Sequence, residues 1–158
     1  MGIEVGVPSN SDIDYDWIEE KILLHKLHQE ERNLLRETFE IVEYRTGDEI
    51  IRQGEPGGWL YLLRSGSAAI TMKVPSRTLY LGEAEEAALF GEMTFLSGGD
   101  ASATVTAHSP CRLYRMDRQG YCRLIVLNQP LLLSLFTYML DHSARIIRRM
   151  NEINAHWP

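Results

Sequence analysis

The stretch FGEMTFLSGGDASATVTA, from Phe90 to Ala107, has the make-up of a cradle for a phosphate. It opens on Phe90-Gly91-Glu92, carries the adjacent glycines Gly98 and Gly99, and closes on alternating small and β-branched residues. Such cradles offer backbone N–H donors and, as a rule, a cation. Here Lys and Arg are absent, and Asp100 sits in the middle. The residues point to anion chemistry without the expected positive side chain.

Other reactive constellations are missing. The chain has no Gly-x-x-x-x-Gly-Lys-Ser/Thr, His-Glu-x-x-His, Gly-x-Ser-x-Gly or Cys-x-x-Cys pattern, so an enzyme is the least favoured class. The histidines His25, His28, His108, His142 and His156 are scattered, without carboxylates in register for a metal. Cys111 and Cys122 read as buried, reduced thiols. A net charge of −6 argues against a protein that grips nucleic acid by neutralising phosphates.

At 158 residues, 44% hydrophobic and 24% charged, the chain fits one soluble domain. No apolar run is long enough to span a bilayer, and MGIEVGVPSN lacks the layout of a signal peptide. Gly2 is followed by Gly6 where myristoylation wants Ser or Thr. A cytoplasmic location is expected, with no membrane partner.

Residues 1–16 are expected to be a flexible tail, and 17–158 a single domain. Ile18, Ile22, Leu23, Leu27, Leu34 and Leu35 recur at helical spacing, which predicts two short helices over 17–40, broken near His28-Gln29. Over 41–116, β-rich segments divided by Gly47, Gly54 and Gly66 predict a compact β-roll, with a hairpin at Val74-Pro75-Ser76-Arg77. ATVTA and CRLYRM supply its closing strands. Two helices follow over 117–154, divided at Pro130, which suits a first helical turn. Leu135, Met139, His142 and Ile146 step by three and four, fitting either packing on the domain or pairing with a second copy. The fold class is mainly β with flanking helices.

YRTGDEIIRQGEPGGWLYLLRSGSAAI, FGEMTFLSGG, SATVTA and CRLYRMDRQGYCRLI, in that order and spacing, resemble the cyclic nucleotide-binding domain family over roughly residues 23–150. This is the family of the catabolite activator protein and the protein kinase A regulatory subunits. The resemblance implies a jelly-roll-like β-roll and a phosphate-binding cassette at 90–107. It places a short helix at Glu92-Met93-Thr94-Phe95, its N–H groups facing a cyclic phosphate. It implies ligand contacts from Phe90, Gly91, Glu92, Met93, Ala101, Ser102, Ala103 and Thr104. Glu92 would accept from the ribose hydroxyl. The last helix would cover the base with Tyr138, His142 and Arg145, unless these pack the helix or a dimer.

In the resembling family an Arg pairs with the phosphate where this chain has Ala101. A charge-assisted contact is worth about 1.5–3 kcal/mol. At about 1.4 kcal/mol per decade, that is one to two decades of affinity. The segment preceding the cassette, EEAALFGE, also lacks a glycine common there. Arg77, Arg112 and Arg115 are the candidate replacements.

The expected function is therefore a non-enzymatic regulatory or sensor domain, with cyclic AMP (cAMP) or cyclic GMP (cGMP) bound weakly or not at all. The alternatives are a dimerising or partner-docking scaffold with a dead pocket, and a cAMP sensor using a substitute cation. A homodimer through the C-terminal helix is expected. Direct DNA binding is not, because the chain ends at Pro158 without room for a helix-turn-helix.

Overall fold

The computed structural model describes residues 7–8 and 12–155. The element order is β1 (Val7–Pro8), α1 (Tyr15–Trp17) running into a π-helical turn (Ile18–Leu23), α2 (Gln29–Thr38), β2 (Glu40–Tyr44), β3 (Glu49–Ile51), β4 (Leu60–Ser65), β5 (Ala68–Val74), β6 (Arg77–Ala84), β7 (Leu89–Phe90), α3 (Glu92–Ser97), β8 (Thr104–Ala107), β9 (Cys111–Met116), α4 (Arg118–Leu127) and α5 (Gln129–Ala155). Two antiparallel sheets result, ordered β1-β2-β9-β4-β7 and β3-β8-β5-β6. This is the expected β-roll with helices before and after it. Pro75-Ser76 form the tip of the β5–β6 hairpin, with Val74 opposite Arg77.

Strand alternation builds two cores from one sheet. Tyr61 and Leu63 of β4, Val42 of β2 and Leu113 of β9 point into the roll. Leu60, Leu62, Ile41, Tyr114 and Met116 of the same strands point out, against Trp17, Ile18, Leu35, Phe95, Leu124, Leu131 and Met139 of the helices. Helices and roll therefore share a sheet, and a shift in either is felt by the other.

Asp117 caps α4 by accepting from the Gly120 N–H at 2.8 Å, and Pro130 lies in the first turn of α5. Most of the stretch expected as a tail, and His156, lie outside the described residues. Within that stretch Ile13 is buried, and Asp14 caps α1 while pairing with Arg64 at 2.7 Å. Cys122, expected to be buried, is exposed because α4 turns it outward; Cys111 is buried.

The helical pair before the roll carries two features that spacing does not reveal. Leu24 ends the π-helical turn in the left-handed region, at φ 59°, with 80% of its surface exposed. A side chain there costs about 1–2 kcal/mol and packs against little. Glu19 is buried between Lys26 (2.8 Å) and Arg32 (2.6 Å), and accepts the Leu27 N–H at 3.1 Å. Lys26 foremost, then Arg32 and that N–H, hold its carboxyl down to about 2.

Leu24→Gly is expected to raise stability by roughly 0.5–1 kcal/mol in a denaturant melt, relief of strain exceeding the entropy of the freer chain. For Glu19 the folded value lies below the ordinary 4.5, so its contribution is complete above pH 4.5 and disappears as pH falls towards 2. Glu19→Gln should remove that dependence, so its melting temperature, lower at neutral pH, should fall less steeply than the wild type's across that window.

Candidate functional site

The cassette begins where β7 ends. Gly91 is the N-cap of α3 at φ 82°, a conformation that glycine adopts without strain. A Cβ there would stand 2.5 Å from the Trp59 carbonyl oxygen. Gly91 is therefore required by the packing of the chain itself, whether or not a ligand approaches. The Phe95 N–H closes the first helical bond to the Gly91 carbonyl at 3.0 Å, and Thr94 Oγ1 donates to the same oxygen at 3.2 Å. At the other end of α3, Arg118 donates to the Phe95 carbonyl at 2.8 Å.

Glu92 occupies the first turn and is half-buried. Burial pushes its carboxyl above the usual carboxylate range, and a hydrogen bond from its own backbone N–H partly offsets this. Phe90 is buried and stacks on Tyr61 at 5.6 Å, whereas Met93 is 67% exposed.

The far half of the cassette is fastened to the loop between β3 and β4. Ala101 N–H donates to the Glu55 carbonyl at 2.9 Å, and Gly54 N–H donates to the Ala101 carbonyl at 2.8 Å. Gly57 N–H donates to Gly99 at 3.1 Å, and Gln53 N–H donates to Thr104 Oγ1 at 3.0 Å. Ala101 is buried, Ser102 exposed, and Ala103 and Thr104 are half-buried.

A cavity of about 510 Å³ lies between the segment 83–90 and α5. Phe90, Tyr138, His142 and Arg145, all singled out from the sequence, line it together. The Tyr138 hydroxyl donates to the Ala87 carbonyl, and the Leu89 N–H approaches His142 Nε2 at 3.5 Å. Burial first, and Arg145 second, lower the His142 imidazole below its ordinary value, which favours the neutral, accepting ring. Gly91, Glu92, Met93, Ala101, Ser102, Ala103 and Thr104 lie outside this lining.

Arg149 and Ile70 also line the cavity and were not foreseen. Arg149 was legible in principle: positions 138, 142, 145 and 149 fall on one helical face. Glu83, Glu85 and Glu86 stand opposite the two guanidinium groups, and Arg145 is paired with Asp141 at 3.4 Å. Ala87 is in the left-handed region at φ 69°, the conformation that explains the preference for glycine before the cassette.

Of the candidate cations named from the sequence, Arg77 opens β6 and is exposed, while Arg115 and Arg112 have neighbours of their own. Arg115 pairs with Glu40 at 2.8 Å and stacks over Trp59 at 4.0 Å. Arg112 stands 3.8 Å from Glu43. Among the described residues no group of His, Cys, Asp and Glu is arranged to hold a metal, and no helix is long and apolar enough to cross a membrane.

Comparison with known proteins agrees with this architecture. The chain is 31% identical over 112 residues to a cAMP-dependent protein kinase regulatory subunit of Aspergillus fumigatus in a match that takes in 69% of this chain and 26% of that one. With the subunit of Dictyostelium discoideum it shares 30% over 113 residues, 69% of this chain and 35% of the relative. The chain thus spans about a quarter to a third of the curated relatives it matches. A cyclic nucleotide-binding domain from Methylobacillus flagellatus has the same fold, with a TM-score of 0.77, 18% identity and coverage of 91% of this chain and 82% of that one. The catabolite activator protein of Thermus thermophilus superposes with a TM-score of 0.66 at 27% identity, covering 84% and 62%. Residues 41–128 match the family described as the cyclic nucleotide-binding domain, and with more than half of its length inside that match the chain belongs to this family.

Proposed function

We propose that the chain is a non-enzymatic regulatory domain whose cassette keeps its form but holds a cyclic nucleotide weakly or not at all. The observation that carries this reading is Ala101. A buried methyl group stands where the resemblance calls for a phosphate-pairing guanidinium, in a segment whose backbone remains pinned by its bonds to Gly54 and Glu55. The relatives' names, regulatory subunits of a cAMP-dependent kinase, support cAMP as the ligand to try first. Phe90, Gly91, Glu92, Met93, Ser102, Ala103 and Thr104 would surround the sugar and phosphate. Tyr138, His142 and Arg145 would close over the base.

Arg145 and Arg149 on α5 line the α5 cavity and are the substitute cations nearest to hand there. Both face Glu83, Glu85 and Glu86 across the cavity, so their charge is opposed before any ligand enters. That favours weak binding over a fully competent sensor.

A second role has its own observation. Leu133, Leu140 and Ile147 recur every seven residues on α5 and are 66%, 68% and 57% exposed, with Met150 one step further. A heptad stripe left in solvent suits a helix-to-helix dimer seam, so the domain would also serve as a dimerising scaffold.

Calorimetry with cAMP and cGMP should give little or no heat for the wild type at micromolar ligand. Ala101→Arg should improve affinity roughly 10- to 100-fold, the value of one charge-assisted contact. Tight binding by the wild type would refute the weakened cassette. Light scattering should give a mass near twice 18.1 kDa, falling to the monomer value in the double variant Leu140→Lys, Ile147→Lys. A wild type that is monomeric at all concentrations would remove the dimer.

A further inference from the structure

A larger cavity, of about 730 Å³, runs along β3, the edge of the four-stranded sheet opposite β6. It shares no lining residue with the cavity beneath α5. Its size falls in the range of ligand sites, about 300–1,000 Å³. Tyr44, Trp59 and Tyr61 supply aromatic surface, and Ile50 and Ile51 apolar surface. Its wall on the cassette side is Gly57 set against Thr94 of α3: a Cβ on Gly57 would fall 1.9 Å from Thr94 Oγ1.

The electrostatics of this cavity select the sign of its occupant. Asp48, Glu49 and Glu55 line it against a single cation, Arg52. Arg52 is already shared between two of these carboxylates, at 2.5 Å from Glu49 and 3.2 Å from Glu55. An anion would meet net negative charge. The site does not suit an inorganic cation either, since no metal-holding cluster exists among the described residues. The buried Arg115 guanidinium lies over one face of the Trp59 ring at 4.0 Å, which shows that the ring attracts cations.

We propose that this cavity is a second ligand site, for a small organic cation: an alkylated ammonium group carried on a flat apolar body. The ammonium would lie towards Glu49 and Glu55, and the apolar body along Tyr44, Trp59 and Tyr61. Such an ammonium sheds its weak hydration readily to meet the carboxylates, while its flat body gains contact with the aromatic side chains, where a phosphate gains nothing. The cavity abuts the cassette through Thr94, Glu55 and Gly57, but a ligand here touches none of the residues lining the α5 cavity, so the site of the response distinguishes the two readings.

The probe is benzyltrimethylammonium, followed by amide chemical shifts of the full chain, with benzyl alcohol and benzoate as neutral and anionic controls. Shifts confined to residues 47–59 and Thr94, saturating with the cation and weaker with both controls, are expected. The double variant Glu49→Gln, Glu55→Gln, altered only at exposed positions, should keep its spectrum and bind the cation several-fold more weakly. Trp59→Leu should also weaken binding, with fold integrity checked by the same spectra. Shifts of equal size from the neutral control, shifts centred on 83–90 and α5, or none at millimolar probe would each overturn the proposal.

Discussion

The backbone of Ala101 is tied in both directions to one loop, giving its N–H to Glu55 and accepting from Gly54, while Gly99 accepts from Gly57. These bonds are indifferent to the side chain at position 101. A guanidinium can be replaced by a methyl group there and the cassette still closes, since what holds it shut is peptide-to-peptide bonding. The same loop presses Gly57 against Thr94, which fixes α3, and Gly91 then must accept a left-handed turn beneath the Trp59 carbonyl. Shape in this region is set by glycines and amides. Charge is added afterwards, and can be lost separately.

The connections leading out of the site are polar and cross the shared sheet. Glu86 lines the α5 cavity and accepts from the Trp17 indole N–H at 2.6 Å. Arg64 links it to the first helix, at 3.3 Å from Glu86 and 2.7 Å from Asp14, and lies over the Trp17 ring. On the other side Tyr138 and His142 hold α5 to Ala87 and Leu89. Both helical layers therefore meet the segment 83–90, the strip that leads into the cassette. Hydrogen bonds and the packed outer core thus join both helical layers to this strip.

What could be read beforehand was whatever depends on local pattern. Alternation at ATVTA and CRLYRM, the Pro75-Ser76 turn, the glycines between strands and the position of Pro130 each specify structure over a few residues, and the strands and helices stand there. The short helix after Gly91 came from resemblance, and it runs Glu92–Ser97. Features fixed by distant neighbours were illegible. The left-handed backbone of Leu24 and Ala87 contradicts their own preferences and is imposed by the chain around them. The outward turn of Cys122, the aromatic cavity beside β3 and the entry of Arg149 into the α5 cavity all depend on which elements pack together. Exposure of the Leu133–Leu140–Ile147 stripe could have been read from its spacing, had the stripe through the half-buried Leu135 and the buried Met139 not absorbed the apolar periodicity.

Glu92 shows why losing one cation matters beyond the contact it would have made. Its carboxyl is half-buried, and burial already raises it above the ordinary carboxylate range. A phosphate placed nearby would add a second negative charge to a poorly solvated hollow, whereas Asp100, next to Ala101, is exposed to solvent. A guanidinium between them would compensate both the ligand and the protein's own carboxylate. Without it, the helix dipole of α3 is left to offset the repulsion, and six residues of helix give about half a charge. On the proposed reading the penalty for the Ala101 cassette would have two parts, an attraction not made and a repulsion not screened. A cassette of unchanged shape can for this reason lose more of its hold on an anion than the one missing contact accounts for.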